Sequence, residues 1–295
     1  MIKGTTKLLG VIGHPVAHSL SPAMHNAAIS HLGVDFVYLP FPVKPGDLKA
    51  ALAGFAAIGV RGFSITIPHK QAILPLLSSV SPIARAIGAV NTVYLTDKGW
   101  CGTNTDVEGF LAPLQTPVYQ AKGGSDWSQK VAVILGNGGA ARAVVAGCAQ
   151  LGCAEIHVVG RNEQNLAEFQ QSWVNSPMPV QNLQVHTWDN LSMLISQANL
   201  LVNTTPVGMY PQGEKSPIPA GALDRISAGA IVYDLIYTPN PTQFLKDAQL
   251  RGARAIDGLE MLVQQGAAAL KIWLDKESVP VDVMRQALRQ HLGLD

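Results

Sequence analysis

Five polar side chains sit at the borders of apolar runs and helices, and their types suit proton transfer to an oxygen beside a bound anion. In "SITIPHK", residues 64–70, the segment Ser64-Ile65-Thr66-Ile67 reads as a buried strand that Pro68 ends, with Lys70 directly after. A lysine there is either a solvated loop cation or an ammonium aimed at a site, able to hold a developing oxyanion and give it a proton. In "GTNTD", Asp106 stands where a helix should begin, as an N-cap or as a carboxylate partner for such a lysine. In "GAVNT", Asn91 precedes an apolar run in which asparagine is disfavoured, so it serves a turn or a ligand. In "HSLSP", Ser21 is a candidate N-cap with Pro22 at the first helical position. Ser19 is not explained that way. Two hydroxyls beside a helix N-terminus make a carboxylate site. The nearby His14, His18 and His25 do not form a metal set. Pro15 and Pro22 prevent one helix from presenting all three, and no acid lies near. No metal is expected.

A second chemistry is phosphate binding. "VAVILGNGGAARAV" places Gly136, Gly138 and Gly139 after an apolar strand and before a helix. This is either a tight strand-to-helix turn or a backbone cradle for a pyrophosphate on the helix N-terminus. The next strand, "EIHVVGR", ends in Arg161 where an NAD site would carry an acid for the ribose 2′-hydroxyl. A surface arginine is the plain reading. A cation suited to a 2′-phosphate is the other, and it favours NADP.

The elements that must position these groups alternate. "KLLGVIG", "DFVYLPFPV" and "GFSITIP" read as strands, separated by the helices "SPAMHNAAISHLG" and "GDLKAALAGFAAIGV". Strand-helix alternation predicts a largely parallel sheet. "AVNTVYLTDKGWCGTNTD" reads as a hairpin about Asp97-Lys98-Gly99, with a helix from about Val107. The polar stretch 115–130 is the clearest loop. A second alternation starts at Lys130: strands in "VAVIL", "EIHVVGR", "ANLLVN" and "AIVYDLIY", with helices in "AARAVVAGCAQLG", "EQNLAEFQQSWV" and "TQFLKDAQLRG". Two helices close the chain, in "GLEMLVQQGAAALKIWL" and within "PVDVMRQALRQHLG".

With 295 residues the chain is long for one core, and 47% hydrophobic against 14% charged residues is a globular balance. A net charge of +1, from 21 basic and 20 acidic residues, implies neither a nucleic-acid nor a membrane surface. The three cysteines, Cys101, Cys148 and Cys153, have no metal spacing and read as reduced thiols. The N-terminus lacks a signal peptide's apolar run. No apolar stretch is long enough to span a bilayer. A cytoplasmic protein is expected.

The segments "HSLSPAMHN", "SITIPHK", "GAVNT", "GTNTD", "GNGGAARA", "NTTPVGM", "YDLIYTPNPT" and "GLEMLVQQ" run in order from residue 18 to 265, and with them the chain resembles the shikimate dehydrogenase family. The resemblance implies two α/β domains with a cleft between them. One is a catalytic domain with a mixed, mostly parallel sheet, made from residues 1–106 plus 258–295. The other is a Rossmann-like NADP-binding domain at 107–257. It implies reversible reduction of 3-dehydroshikimate to shikimate with NADP, a step of aromatic amino-acid biosynthesis. Its small-molecule substrate would bind to a monomer or homodimer without nucleic acid or membrane. Ser19, Ser21 and Tyr237 would hold the substrate carboxylate. Thr66, Asn91, Asp106 and Gln265 would bind ring hydroxyls, and Lys70 with Asp106 would be the catalytic pair. Gly136, Gly138, Gly139, Ala140 and Arg161 would bind NADP, with Asn203, Thr204 and Gly258 on the nicotinamide side. Where the family often has Asn-Arg-Thr, this chain has Gly160-Arg161-Asn162: the arginine is kept and two smaller contacts change. Quinate dehydrogenases, a sensor on the same fold and tetrahydrofolate dehydrogenases are the rival readings. The presence of both Lys70 and Asp106 argues for an enzyme, and "HSLSP" with "GTNTD" argues against the folate enzyme.

Overall fold

The computed structural model describes residues 2–116 and 126–294. Most of the expected polar loop at 115–130 lies outside them. The chain divides into two compact units: residues up to Gly109 together with those from Leu262 onward, and Phe110–Met261 between them.

The first unit holds a six-stranded sheet. Its strands are β1 (Lys7–Gly13), β2 (Phe36–Pro42), β3 (Val60–Ile65), β4 (Ser79–Val80), β5 (Thr92–Thr96) and β6 (Gly99–Thr103), in the order β2-β1-β3-β5-β6-β4. β1 runs parallel to β2 and β3, while β5 is antiparallel to both β3 and β6, forming the expected hairpin. The helix Ser21–Leu32 buries Ser21, Met24, His25, Ala28 and Ile29, one face at helical spacing, and ends at Gly33 with φ +64°. On the other side Ile12, Leu52, Phe55, Phe63, Ile65 and Trp100 share one core. The tail returns to this sheet through Trp273, whose indole N–H donates to the Val93 carbonyl at 2.9 Å. Its ring lies where a Cβ on Gly62 would be, 2.3 Å away, so only glycine fits in that strand.

Two local expectations change here. The strand over "SITI" stops at Ile65, and Ile67 is 71% exposed. Lys70 then lies in a single helical turn, His69–Ala72, and not in an open loop. Ser21 is not an N-cap but the first helical residue, and the hydroxyl of Ser19 accepts the Ser21 N–H at 3.3 Å.

The second unit is a fully parallel sheet of β7 (Val131–Leu135), β8 (Glu155–Gly160), β9 (Leu183–Thr187), β10 (Leu200–Asn203), β11 (Ile231–Asp234) and β12 (Arg254–Ile256). The order β12-β11-β10-β7-β8-β9 makes it doubly wound, reversing direction between β7 and β10. β10 and β11 are buried throughout. Their unbroken apolar runs follow from helices covering both faces. β9 and β12 carry mixed polar residues and escape reading from sequence.

Candidate functional site

Strand registers carry the first site. Ser64 on β3 pairs with Thr92 on β5, and Thr92 pairs with Thr103 on β6. The C-terminal ends of β3 and β6 and the start of β5 therefore meet at one edge. Lys70 follows β3, Asp106 follows β6 and Asn91 precedes β5, so three distant stretches of sequence converge.

Lys70 Nζ donates to Asp106 Oδ2 at 2.6 Å, with side-chain exposures of 21% and 8%. The other carboxylate oxygen accepts from Asn91 Nδ2 at 2.8 Å. Asn91 is itself fixed: its Oδ1 accepts the Thr105 N–H at 2.8 Å and the Thr92 hydroxyl at 2.9 Å. Gln265, from the tail helix, reaches Asn91 Nδ2 with Oε1 at 3.4 Å, and its carbonyl accepts the Thr105 hydroxyl at 3.0 Å. Asp106 does not cap its helix. It is the first residue of the helix Asp106–Leu114, its N–H is accepted by Asn104 Oδ1 at 2.9 Å, and its carboxylate goes to Lys70 and Asn91.

A hydroxyl cluster stands one strand away. The Tyr38 phenol donates to Ser64 Oγ at 2.9 Å. Burial pushes the phenol well up, against hydrogen bonds from Ser64 and Ser21 that pull it down. Asn26 holds Tyr38 at both backbone groups, at 2.8 and 2.9 Å. The His25 ring stacks on Tyr38 at 4.2 Å, fully buried with neither ring nitrogen hydrogen-bonded, and burial lowers it to about 3. Among the described residues no group of three or more histidine, cysteine or acidic side chains could hold a metal ion. Thr66 is half-buried at the end of the same arm, and its hydroxyl makes no hydrogen bond among the described residues.

The second unit holds the glycine turn. Gly136 has φ +99°, and a Cβ there would stand 2.8 Å from Thr204 Oγ1. Gly138 precedes the helix Gly139–Leu151 with no side-chain cap, and a Cβ on it would meet nothing within 4 Å. Free amide groups at the start of a 13-residue helix, facing open space, fit a pyrophosphate. Ala140 is half-buried in the first turn of that helix. Arg161, just beyond β8, is exposed and makes no hydrogen bond or ion pair among the described residues. It is free to meet a 2′-phosphate. The changed neighbours have structural reasons. A Cβ on Gly160 would lie 2.9 Å from Leu166, and Asn162 caps the next helix by accepting the Asn165 N–H at 2.9 Å.

Three expected cofactor contacts take another form. The Thr204 hydroxyl donates to the Leu135 carbonyl at 2.6 Å. Asn203 is fully buried, and its amide is saturated within the protein. The Asn203 amide has no group left for a cofactor and the Thr204 hydroxyl donates its proton to the strand; both hold their segment in place. Gly258 is required because a Cβ would lie 2.2 Å from the Leu235 carbonyl. Tyr237 is half-buried, and burial raises its phenol.

Sequence reading passed over Asn26, Tyr38, Ser64, Asn104 and Thr105. The signal was present for Asn26, an amide among apolar residues on a helix, and for the paired Asn104-Thr105 before Asp106. Tyr38 reads as core until Ser64 is seen beside it.

Comparison with known proteins matches residues 11–93 to the shikimate dehydrogenase substrate binding domain and 258–289 to the shikimate 5′-dehydrogenase C-terminal domain. The shikimate dehydrogenase (NADP(+)) of Trichormus variabilis is 69% identical over 294 residues, covering 100% of each chain. Among solved structures, shikimate dehydrogenase from Aquifex aeolicus is 36% identical with TM-score 0.85, covering 98% of this chain and 100% of that one. Shikimate 5-dehydrogenase from Thermus thermophilus, in complex with NADP(H) and shikimate, is 34% identical with TM-score 0.82, covering 97% and 99%.

Proposed function

The chain belongs to the shikimate dehydrogenase family, and from that premise we propose how its own residues carry out the NADP-dependent interconversion of 3-dehydroshikimate and shikimate. We assign substrate binding to the first unit and nucleotide binding to the second. Gly136, Gly138, Gly139 and Ala140 hold the pyrophosphate, and Arg161 holds the 2′-phosphate. When bound, the cofactor supplies or accepts the hydride.

The observation that carries the assignment is the Lys70–Asp106 pair, locked from behind by buried Asn91. Reduction of a ketone leaves negative charge on its oxygen. The Lys70 ammonium stabilises that charge and delivers a proton there; in the oxidative direction it takes the proton back. Asp106 keeps Nζ in place and accepts from a neighbouring ring hydroxyl. Thr66, Asn91 and Gln265 bind the ring. Ser19 and Ser21, backed by Tyr38 and Ser64, hold the carboxylate, with Tyr237 as a further donor. We place the reaction in the cytoplasm, where the buried thiols Cys101, Cys148 and Cys153 stay unpaired.

Absorbance at 340 nm with shikimate or quinate, each with NADP or NAD, tests the reading. Turnover is expected with shikimate and NADP. Preference for quinate or NAD would overturn the roles of the serine pair or Arg161. Lys70→Ala should lower kcat at least about 100-fold, and near-normal turnover would refute its role.

A further inference from the structure

We propose that Asp234 is a positioning residue for the nicotinamide half of the cofactor, tying three segments of the second unit to one buried carboxylate. The proposal rests on the NADP reading above. A dinucleotide lies across the point where a doubly wound sheet reverses, one mononucleotide on each half. Here the reversal falls between β7 and β10. The glycine turn and Arg161 take the adenosine side on β7 and β8. The loops after β10 and β11 are left for the nicotinamide side.

Those loops are held by Asp234. Its register partner across the sheet is Asn203, each the last residue of its strand. Asp234 Oδ1 accepts from Asn203 Nδ2 at 2.9 Å and from the Ile236 N–H at 3.1 Å. Oδ2 accepts from the Thr242 hydroxyl at 2.7 Å. All three residues Asn203, Asp234 and Thr242 are 0% exposed.

Each bond fixes a different segment. The second N–H of Asn203 donates to the Val207 carbonyl at 3.3 Å, while its Oδ1 accepts the Thr205 N–H at 3.0 Å and hydroxyl at 2.7 Å. Two donors and two acceptor sites are all used, so Asn203 shapes the loop 203–207 and offers nothing outward. Ile236 carries the turn toward Tyr237, and its carbonyl accepts the Gly258 N–H at 3.2 Å. Thr242 caps the helix Gln243–Gln249 by accepting the Leu245 N–H at 3.3 Å. A core needs no carboxylate for burial's sake, since removing one from water opposes folding. Its retention at the ends of two adjacent strands fits a purpose in the loops it fixes.

The test uses the whole protein and two probes. NADP+ reads both halves of the site, and 2′,5′-ADP reads the adenosine side alone. Calorimetric titration, steady-state kinetics and thermal melting would be run on wild type, Asp234→Ala, Asp234→Asn and Asn203→Ala. In both alanine variants the 2′,5′-ADP Kd should stay within about twofold, the NADP+ Kd should rise about tenfold and kcat should fall about tenfold or more. Asp234→Asn keeps an oxygen for Asn203 and Ile236 and turns an N–H toward Thr242, so it should recover both quantities to within about threefold. Equal weakening of both probes, an unchanged NADP+ Kd in the alanine variants, or an asparagine variant as damaged as alanine would each overturn the proposal. If Asp234→Ala does not fold, Asn203→Ala decides by the same criteria. A wild-type protein that binds neither probe would overturn the NADP reading itself, and the proposal with it.

Discussion

Asn91 spends its side chain on geometry. It holds Asp106 on one side and the Thr105 backbone on the other, so the Lys70 ammonium has one stable direction. Misplacement of a catalytic group by about 1 Å can cost on the order of 100-fold. Asn91→Ala should therefore lower kcat about 10- to 100-fold, a drop that stopped-flow absorbance at 340 nm would measure; unchanged kcat would remove Asn91 from the machinery. The role proposed for Arg161 concerns one cofactor only. Hydrogen bonds to a charged group contribute roughly 1.5–3 kcal/mol, so Arg161→Ala should raise KM for NADP about 10- to 100-fold and leave KM for NAD nearly unchanged. Equal losses with both would show that Arg161 does not read the 2′-phosphate. At this scale the sequence was informative wherever a polar residue interrupted an apolar run: Lys70, Asn91 and Asp106 all stood out so. Asn203 was assigned to the nicotinamide side only through the family resemblance. Only its four inward hydrogen bonds, to Val207, Asp234 and Thr205, reveal that its amide is used up, and partners across strands leave no trace in local spacing.

The tail helix Gly258–Leu274 depends on a fit that tolerates no addition. Gly62→Ala would drive a methyl into the Trp273 ring. Overpacking of this kind costs ~1–3 kcal/mol, so a urea titration should give a lower midpoint with an unchanged slope. An unaffected midpoint would mean that the tail docks elsewhere. The elements themselves were largely readable. β-branched apolar runs gave β7, β8, β10 and β11, and glycine gave the stop at Gly33. β9, "LQVHT", was not, because an edge strand is half solvated and its pattern is diluted. The end of β3 was misjudged for a different reason. Ile67 looks like core by type but stands 71% exposed, and only tertiary placement shows that the strand has already ended.

For the whole molecule, the two units carry opposite responses to acid. His25, in the first, is lowered to about 3 by burial. The unfolded chain protonates it near 6.5, so its contribution to stability is lost as pH falls below that value, at ~1.4 kcal/mol per pH unit down to about 3. Asp234, in the second, is raised to about 6 by burial, against bonds from Thr242, Ile236 and Asn203. Its contribution is present below its unfolded value of 3.8 and is lost as pH rises through about 6. Calorimetric scans at pH 7 and pH 4.5 should therefore show the first unit's transition moving down relative to the second's. His25→Leu should cancel the first shift and Asp234→Asn the second. Transitions that move together in both variants would refute the assignment of these groups.

The first unit's interruption also bears on how the protein is made. A ribosome releases the β-sheet carrying Lys70, Asn91 and Asp106 early, and then the entire second unit. Gln265 and Trp273 emerge only after the second unit has been made. A chain cut short before them would have the Lys70–Asp106 pair but neither the Gln265 amide that meets Asn91, to which we assign ring binding, nor the indole that seats the tail on the sheet. Translation products that stop before Gln265 would thus be poor catalysts, so chemical competence waits until the whole second unit has been made.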